Sequence, residues 1–333
     1  MLDADFQIYY YICKLRMNTI TVKYSGGLGN VLFQIAAVIA YSNKFDRTFI
    51  FSKYNALSNL DICSVENMGI DCAEYEKSLQ DVLEGSGDEL FTDTTPHLRL
   101  VGFFQDYRLF DKYRPQILTI IGIPIIRKSV EPIMQMSGFS NRGIFQDSPS
   151  ENVTISLHIR QGDYEDLRCY FILLDEYYYK RALLTIANQL PFAKIKVVCF
   201  YESKTTSSSK RIIGELEKDN DIRRYPIEFH HFNDILEHTF SDIEEMAIMS
   251  HCSHHIIANS TYSWWSAYIN PRKNKIVCYP DEYFNHQLYY LECNGLKVDG
   301  WTQVESWNHD KYRCDCRVTP VNHYSKIHKE NSR

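Results

Sequence analysis

Residues 153–163 read Val-Thr-Ile-Ser-Leu-His-Ile-Arg-Gln-Gly-Asp, and this stretch decides the fold class. Val153 to Leu157 is a short apolar run with β-branched residues, the mark of a strand buried on both faces. It ends in His158, Arg160 and the turn formers Gly162 and Asp163. An arginine and a tight turn at the C-terminal edge of a buried strand lie where an open α/β sheet holds its ligand. The guanidinium is always charged, and its planar fork matches a phosphate bidentately. The pattern points to a pyrophosphate site; the plainer reading is an ion-paired arginine at a strand end.

Working outward, strand and helix patterns alternate on both sides. Thr19–Tyr24 reads as a first strand, Ser25–Gly29 as a tight turn, and Val31–Tyr41 as an apolar helix. Phe49–Phe51 suggests a second strand and Val101–Gln105 a later one, while residues 56–100 carry no readable period. After residue 153 the sequence predicts a helix near 175–189 opened by Asp175, and a strand over Ala193–Phe200. Ser203–Lys210 reads as a polar loop. A helix over Ser241–Ser250, with Ile243, Met246, Ala247 and Met249 inward, precedes a buried strand at His255–Ala258. A helix from Thr261 stops before Pro271, and Lys275–Tyr279 is another strand. Repeated alternation predicts α/β architecture with parallel sheets.

A chain of 333 residues exceeds one typical core, so two domains are expected. Residues 138–152 are rich in Gly, Ser, Asn, Asp and Pro and mark the boundary. The division is an N-terminal extension at 1–16, an N-terminal Rossmann-like domain at 17–145 and a C-terminal one at 146–333. Net charge is −6 and no long basic run occurs, which argues against nucleic acid as a partner. No apolar stretch reaches transmembrane length. Lys14 and Arg16 follow the apolar residues at 6–13, the reverse of a signal peptide. The ten cysteines are scattered, several in strand-like runs, which suggests reduced thiols and a cytoplasmic setting. Cys314-Asp-Cys316 lacks a second pair at zinc-like spacing, so no metal site is expected.

Two further segments carry chemistry. Gly26-Gly-Leu-Gly-Asn30 joins a strand to a helix, where glycine lets a ligand approach the backbone and the helix N-terminus attracts anions. Ala258-Asn-Ser-Thr-Tyr-Ser-Trp-Trp265 runs from a strand into a helix and offers hydroxyls and free N–H groups to a phosphate. Ser260 or Thr261 serving only as a helix cap is the alternative. Trp264 and Trp265 read as packing residues.

Together the segments resemble the α-1,2-fucosyltransferases of glycosyltransferase family 11. That family carries GGLGN-x-x-FQ, G-[YF]-FQ, H-x-R-x-GD and N-S-[ST]-x-SWW in this order. Here they stand as Gly26–Gln34, Gly102–Gln105, His158–Asp163 and Asn259–Trp265. The resemblance implies a GT-B-like enzyme with two facing Rossmann-like domains. It implies inverting transfer of L-fucose from GDP-β-L-fucose to the 2-hydroxyl of an acceptor sugar such as a galactoside. No metal or cofactor is expected beside the GDP-fucose donor substrate.

In that reading Arg160 neutralises the diphosphate, His158 positions it or contacts the nucleotide, and His158 or Asp163 serves as base; Asp163 bracing the turn is equally open. Gly27, Gly29, Asn30, Asn259, Ser260 and Ser263 contribute to the donor site, and Gln34, Gln105 and Asp106 line the cleft on the acceptor side. The chain departs from the family at Gln161, where a second arginine is usual. It departs again at Tyr201-Glu202-Ser203, where FSDD is common; Glu202 is a candidate for the guanine edge. Another GDP-deoxyhexose, or a catalytically silent nucleotide-sugar-binding protein of the same fold, fits these departures.

Asn152-Val-Thr and Asn259-Ser-Thr are formal glycosylation sequons, the second inside the proposed site. The basic tail with Lys326, His328, Lys329 and Arg333 leaves weak peripheral membrane contact open. Acceptor identity and oligomeric state are not legible.

Overall fold

A computed structural model describes residues 18–54, 57, 72–91, 96–135, 144, 152–235, 240–285, 288 and 293–306. The extension at 1–16, the boundary at residue 145, the Cys314–Cys316 pair and the basic tail lie outside the described residues.

In chain order the first part holds β1 (Thr19–Val22), α1 (Leu28–Phe45), β2 (Thr48–Phe49), α2 (Cys72–Ser78), β3 (Gln80–Leu83) and β4 (His97–Val101). Helices α3 (Arg114–Ile121) and α4 (Ile123–Met134) follow. The second part holds β5 (Asn152–Ile159), the single turn α5 (Asp163–Asp166), α6 (Glu176–Gln189), β6 (Lys194–Tyr201), α7 (Thr206–Lys218) and β7 (Ile227–His231). It closes with α8 (Asp242–Met249), β8 (His254–Ile256), α9 (Thr261–Ile269), β9 (Val277–Pro280) and β10 (Thr302–Val304).

The strands form two parallel sheets, ordered β2-β1-β4-β3 and β10-β9-β8-β5-β6-β7. Read from the other edge, the second is β7-β6-β5-β8-β9-β10, the 3-2-1-4-5-6 order of a Rossmann sheet. The chain runs outward from β5 through β6 and β7, then returns to place β8 on the other side of β5. The first sheet has the same device: β1 pairs with β2 on one side and β4 on the other. Each sheet thus has a switch point, between β1 and β4 and between β5 and β8. A parallel sheet leaves a crevice outside the carboxyl ends of its strands there. The α/β class and the GT-B-like pair of parallel Rossmann-like sheets expected from the sequence are present.

One apolar core joins the two sheets. It runs from Ile20 and Val22 on β1 through Val31, Phe33 and Ile35 on α1 to Trp264 and Trp265 on α9 and Val277 on β9. The Phe33 ring lies 4.6 Å from Trp264 and 5.2 Å from Trp265, and Phe110 stacks on Trp265 at 5.8 Å. Both tryptophans are fully buried packing residues. Each aromatic side chain buries roughly 150–250 Å², so this seam fixes the sheets against each other as a core does, not as a wet hinge.

Helix α4 precedes the turn-rich segment in sequence but packs under the second sheet. Val130 and Met134 share a cluster with Val198, Phe200 and Ala247. Pro115 and Pro124 sit in the first turns of α3 and α4, where a missing N–H costs nothing.

Two local expectations are corrected. The strand is His97–Val101, and Gly102–Gln105 is the bent loop beyond it, because Gly102 takes φ +153° and Phe104 φ +53°. Ser203–Lys210 is helical: a 3-10 turn at Ser203–Thr205 leads into α7. Thr206 and Ser208 hydroxyls bond carbonyls three residues back, and Ile212, Ile213 and Leu216 anchor the buried face. Elsewhere the sequence reading holds closely. Asp175 caps α6 by accepting from the Tyr177 N–H at 3.0 Å, and Ile243, Met246, Ala247 and Met249 of α8 are buried.

Candidate active site

The chain leaves β1 through a turn that only glycine suits at residue 26, where φ is +79° and a Cβ would strike the Asn30 amide. Gly27 caps α1 in an ordinary extended conformation, with nothing within 4 Å of a Cβ placed there. Gly29 is different. A Cβ there would stand 2.5 Å from the Thr261 carbonyl carbon and the Tyr262 nitrogen. The first turn of α1 therefore rests directly on the first turn of α9.

Asn30 locks this contact. Its Oδ1 accepts from Thr261 Oγ1 at 2.8 Å and from Gln105 Nε2 at 2.9 Å. One side chain ties together the loops beyond β1, β4 and β8. Gln34, fully buried, clamps the same region from below; it accepts from the Ser25 N–H at 3.1 Å and donates to the Gly102 carbonyl at 2.9 Å. The two switch points thus face each other, and the starts of α1 and α9 meet there. The positive ends of two macrodipoles make that region attractive to an anion.

Arg160 stands at the end of β5. Its Nη1 donates to Glu202 Oε1 and its Nη2 to Asp163 Oδ1 at 2.5 Å. Its guanidinium carbon lies 5.2 Å from the centre of the Tyr164 ring. Lys204 Nζ holds the other Glu202 oxygen at 2.8 Å. The turn depends on Gly162 at φ +57°, where a Cβ would meet Glu202 Oε2 at 3.0 Å. Asp163 braces the arginine in this arrangement. Tyr164 links the two strand ends, because its hydroxyl donates to the Asn259 carbonyl at 3.1 Å. Burial, opposed by Arg160, pushes that hydroxyl up to about 12.

His158 lies one layer deeper, with its ring 5.6 Å from that of Tyr262 and its carbonyl accepting from the Tyr179 hydroxyl at 3.0 Å. Burial, reinforced by Arg160, pulls its pKa down to about 3. The imidazole is neutral at any physiological pH.

The remaining candidates divide between the crevice and its scaffold. Asn259 is buried and its Nδ2 donates to the carbonyls of Ile172 and Tyr283, which leaves no room for a glycan. Ser260 caps α9 by accepting from the Tyr262 N–H at 3.3 Å. Ser263 is buried and bonds the Ser260 carbonyl and the Ala258 N–H. Asp106 caps the 3-10 turn at Tyr107–Leu109 and pairs with Arg108; burial opposes, but the Arg108 bonds hold its pKa down. Gln161 is buried and turned inward, donating to the Leu174 carbonyl at 3.2 Å. Arg160, Asp163 and Glu202 form one cluster, and Asn30 and Gln105 join Thr261 in another.

Sequence reading missed Lys204 and Tyr164 at the site and the shifted carboxyl of Glu245 beside it. Glu245 lies in the first turn of α8, where an acidic residue reads as a complement to the helix dipole. Folding half-buries its carboxyl beside Tyr262, and burial, with Asp242 adding to it, raises its pKa to about 7. Among the described residues no three His, Cys, Asp or Glu side chains gather as metal ligands, and no helix is long and apolar enough to cross a membrane.

Comparison with known proteins follows the same lines. The family model described as Glycosyl transferase family 11 matches residues 6–305. An Escherichia coli alpha-1,2-colitosyltransferase is 23% identical, over 87% of this chain and all of its own length. The O-antigen biosynthesis glycosyltransferase WbnK of Escherichia coli is 30% identical over 62% of this chain and 60% of its own length. Among solved structures, a mutant of Arabidopsis thaliana FUT1 in complex with GDP aligns at TM-score 0.45 and 10% identity, over 83% of this chain and 74% of its own. The fucosyltransferase NodZ from Bradyrhizobium aligns at TM-score 0.42 and 12% identity, over 77% of this chain and 93% of its own. With the family model spanning both sheets and every segment of the crevice, the chain belongs to glycosyl transferase family 11.

Proposed function

We propose that the protein transfers L-fucose from GDP-β-L-fucose to the 2-hydroxyl of an acceptor sugar, a galactoside in the simplest case, with inversion and without a metal. The observation that carries this reading is the packing of the α1 start on the α9 start, with Arg160 over the ring of Tyr164, whose hydroxyl bonds the Asn259 carbonyl just before α9. As the bond from the sugar to the diphosphate breaks, negative charge builds on the departing GDP and the sugar becomes cation-like. Donors already aimed at that charge lower the barrier without reorganising. In this reading the Arg160 fork and the positive ends of α1 and α9 meet that charge.

The acceptor hydroxyl must give up a proton as it attacks. Asp163 is committed to Arg160, and His158 is deeply buried. Of the two, Asp163 is the more exposed, at 52% of its side chain, and is the base in this reading.

A second donor is supported by the whole-length relative named for colitose transfer. Colitose is fucose without its 3-hydroxyl, so a site that tolerates one sugar differs from the other by a single polar contact. A cytosolic setting is supported by the buried thiols of Cys199 and Cys278, which form no disulfide.

The test is calorimetric titration with GDP, GDP-fucose and GDP-mannose in the presence of a chelator, for the natural protein and Arg160→Ala. The expected result is tight GDP and GDP-fucose binding, weak GDP-mannose binding, and a loss of about 10²-fold or more in transfer rate on removing Arg160. Unchanged transfer and GDP affinity in Arg160→Ala would refute the diphosphate assignment. Absence of GDP binding by the natural protein would favour a silent fold.

A further inference from the structure

The family's second arginine after Arg160 is absent here, and the side chain that replaces it cannot act on a ligand. Gln161 is buried and spends its amide on the Leu174 carbonyl. The charge lost at 161 reappears from another strand. Lys204 follows the end of β6 and lies across the Gly162 turn; its Cε would be 3.1 Å from a Cβ at Gly162. Its Nζ is 2.8 Å from Glu202 Oε2, while Glu202 Oε1 accepts from Arg160. One carboxylate therefore sits between two cations. With Asp163 on the far side of Arg160, two positive and two negative groups balance in the free protein.

We infer that Lys204 is a second diphosphate-binding cation of the donor site, and that Glu202 is an internal counter-ion which the diphosphate displaces from Arg160 and Lys204. The inference rests on the GDP-sugar reading above. A carboxylate carries one charge and two acceptor oxygens, whereas a diphosphate carries more of both and engages two cations at once. Lys204 is 65% exposed, so its flexible stem can exchange one partner for the other without disturbing the core. Holding Glu202 between the cations also keeps two like charges from repelling when no ligand is bound.

Glu202 as a counter-ion and Glu202 as a guanine ligand make opposite predictions. If it is displaced, Glu202→Gln removes a competitor and tightens GDP. If it binds the base, the same change weakens GDP.

The experiment is calorimetric titration of the full chain with GDP and GMP at low and moderate salt. The variants are Lys204→Ala, Lys204→Arg, Glu202→Gln and the Glu202→Gln/Lys204→Ala double variant, with Arg160→Ala as reference. The expected result is an approximately tenfold loss of GDP affinity in Lys204→Ala at low salt, shrinking as salt rises. The loss for GMP is smaller, Lys204→Arg restores affinity, and Glu202→Gln binds GDP more tightly. In the double variant the lysine must still matter; if Lys204→Ala has no effect once Glu202 is neutral, the lysine only positions Glu202 and direct contact is overturned. Natural protein that binds GDP, with Arg160→Ala weakened and Lys204→Ala unchanged, overturns the inference and leaves the donor reading intact. Natural protein that does not bind GDP overturns the donor reading and, with it, this inference.

Discussion

Two glycines in one turn are expected to answer the same substitution in opposite ways. At Gly29 an added methyl would lie 2.5 Å from the Thr261 carbonyl carbon and the Tyr262 nitrogen. Non-bonded carbon contacts settle near 3.5–4.0 Å, so α1 and α9 must separate by about 1 Å. Overpacking of this kind costs roughly 1–3 kcal/mol. The same separation strains the Asn30 bond to Thr261, worth about 1 kcal/mol. Alanine's better helix propensity returns up to about 1 kcal/mol. The net expectation for Gly29→Ala is a loss of about 2 kcal/mol. At Gly27 backbone φ is −77° and no atom lies within 4 Å of the new Cβ, so Gly27→Ala should change stability by no more than about 0.5 kcal/mol. The assay is chemical denaturation of both variants beside the natural protein, followed by GDP titration. Gly29→Ala should lower the midpoint and weaken GDP together, because it pulls apart the two helix starts. Gly27→Ala should keep the midpoint, because its methyl meets open space. A natural midpoint for Gly29→Ala, or an equal loss in both variants, would refute the helix-on-helix argument.

Glu245 ties stability to pH with a definite sign. Its folded pKa of about 7 stands above the ordinary 4.5, so the folded form binds the proton more tightly and stability falls as pH rises from about 4.5 to about 7. The ceiling is about 3 kcal/mol for that shift, and Glu245→Gln should remove this dependence in denaturation curves at pH 5 and 8. The His158 ring should stay neutral down to about pH 3, so its NMR resonance should not move between pH 5 and 8. A midpoint near the free-histidine value would mean that the ring reaches solvent.

Much of this architecture is legible locally. The glycine turn before α1 needs positive φ at Gly26, the Asp175 cap opens α6, and the Ser241 cap with Glu244 opens α8. Such signals lie within a few residues of what they control. The misreadings also have local causes. Val101–Gln105 is apolar enough for a strand, but its backbone is bent by Gly102 and Phe104 to meet Glu84, which accepts from the Phe103 N–H at 2.8 Å. The Ser and Thr residues of 203–208 look like a loop because their hydroxyls compete for the backbone; here those hydroxyls bond carbonyls within the helix instead.

The sequence by itself determined that strands end in glycine, arginine and serine turns, and that helices begin immediately after them. Periodicity and turn chemistry act over one or two turns of chain, so they can be read without a fold. Only the tertiary structure decided that the ends of β5 and β8 are neighbours, that Gly29 touches Thr261, and that Glu202 lies between Arg160 and Lys204. Those pairings join residues 42, 99 and more than 200 positions apart. They follow from the order in which strands add to each sheet and from the aromatic seam that presses the sheets together, and no short stretch of chain carries that information.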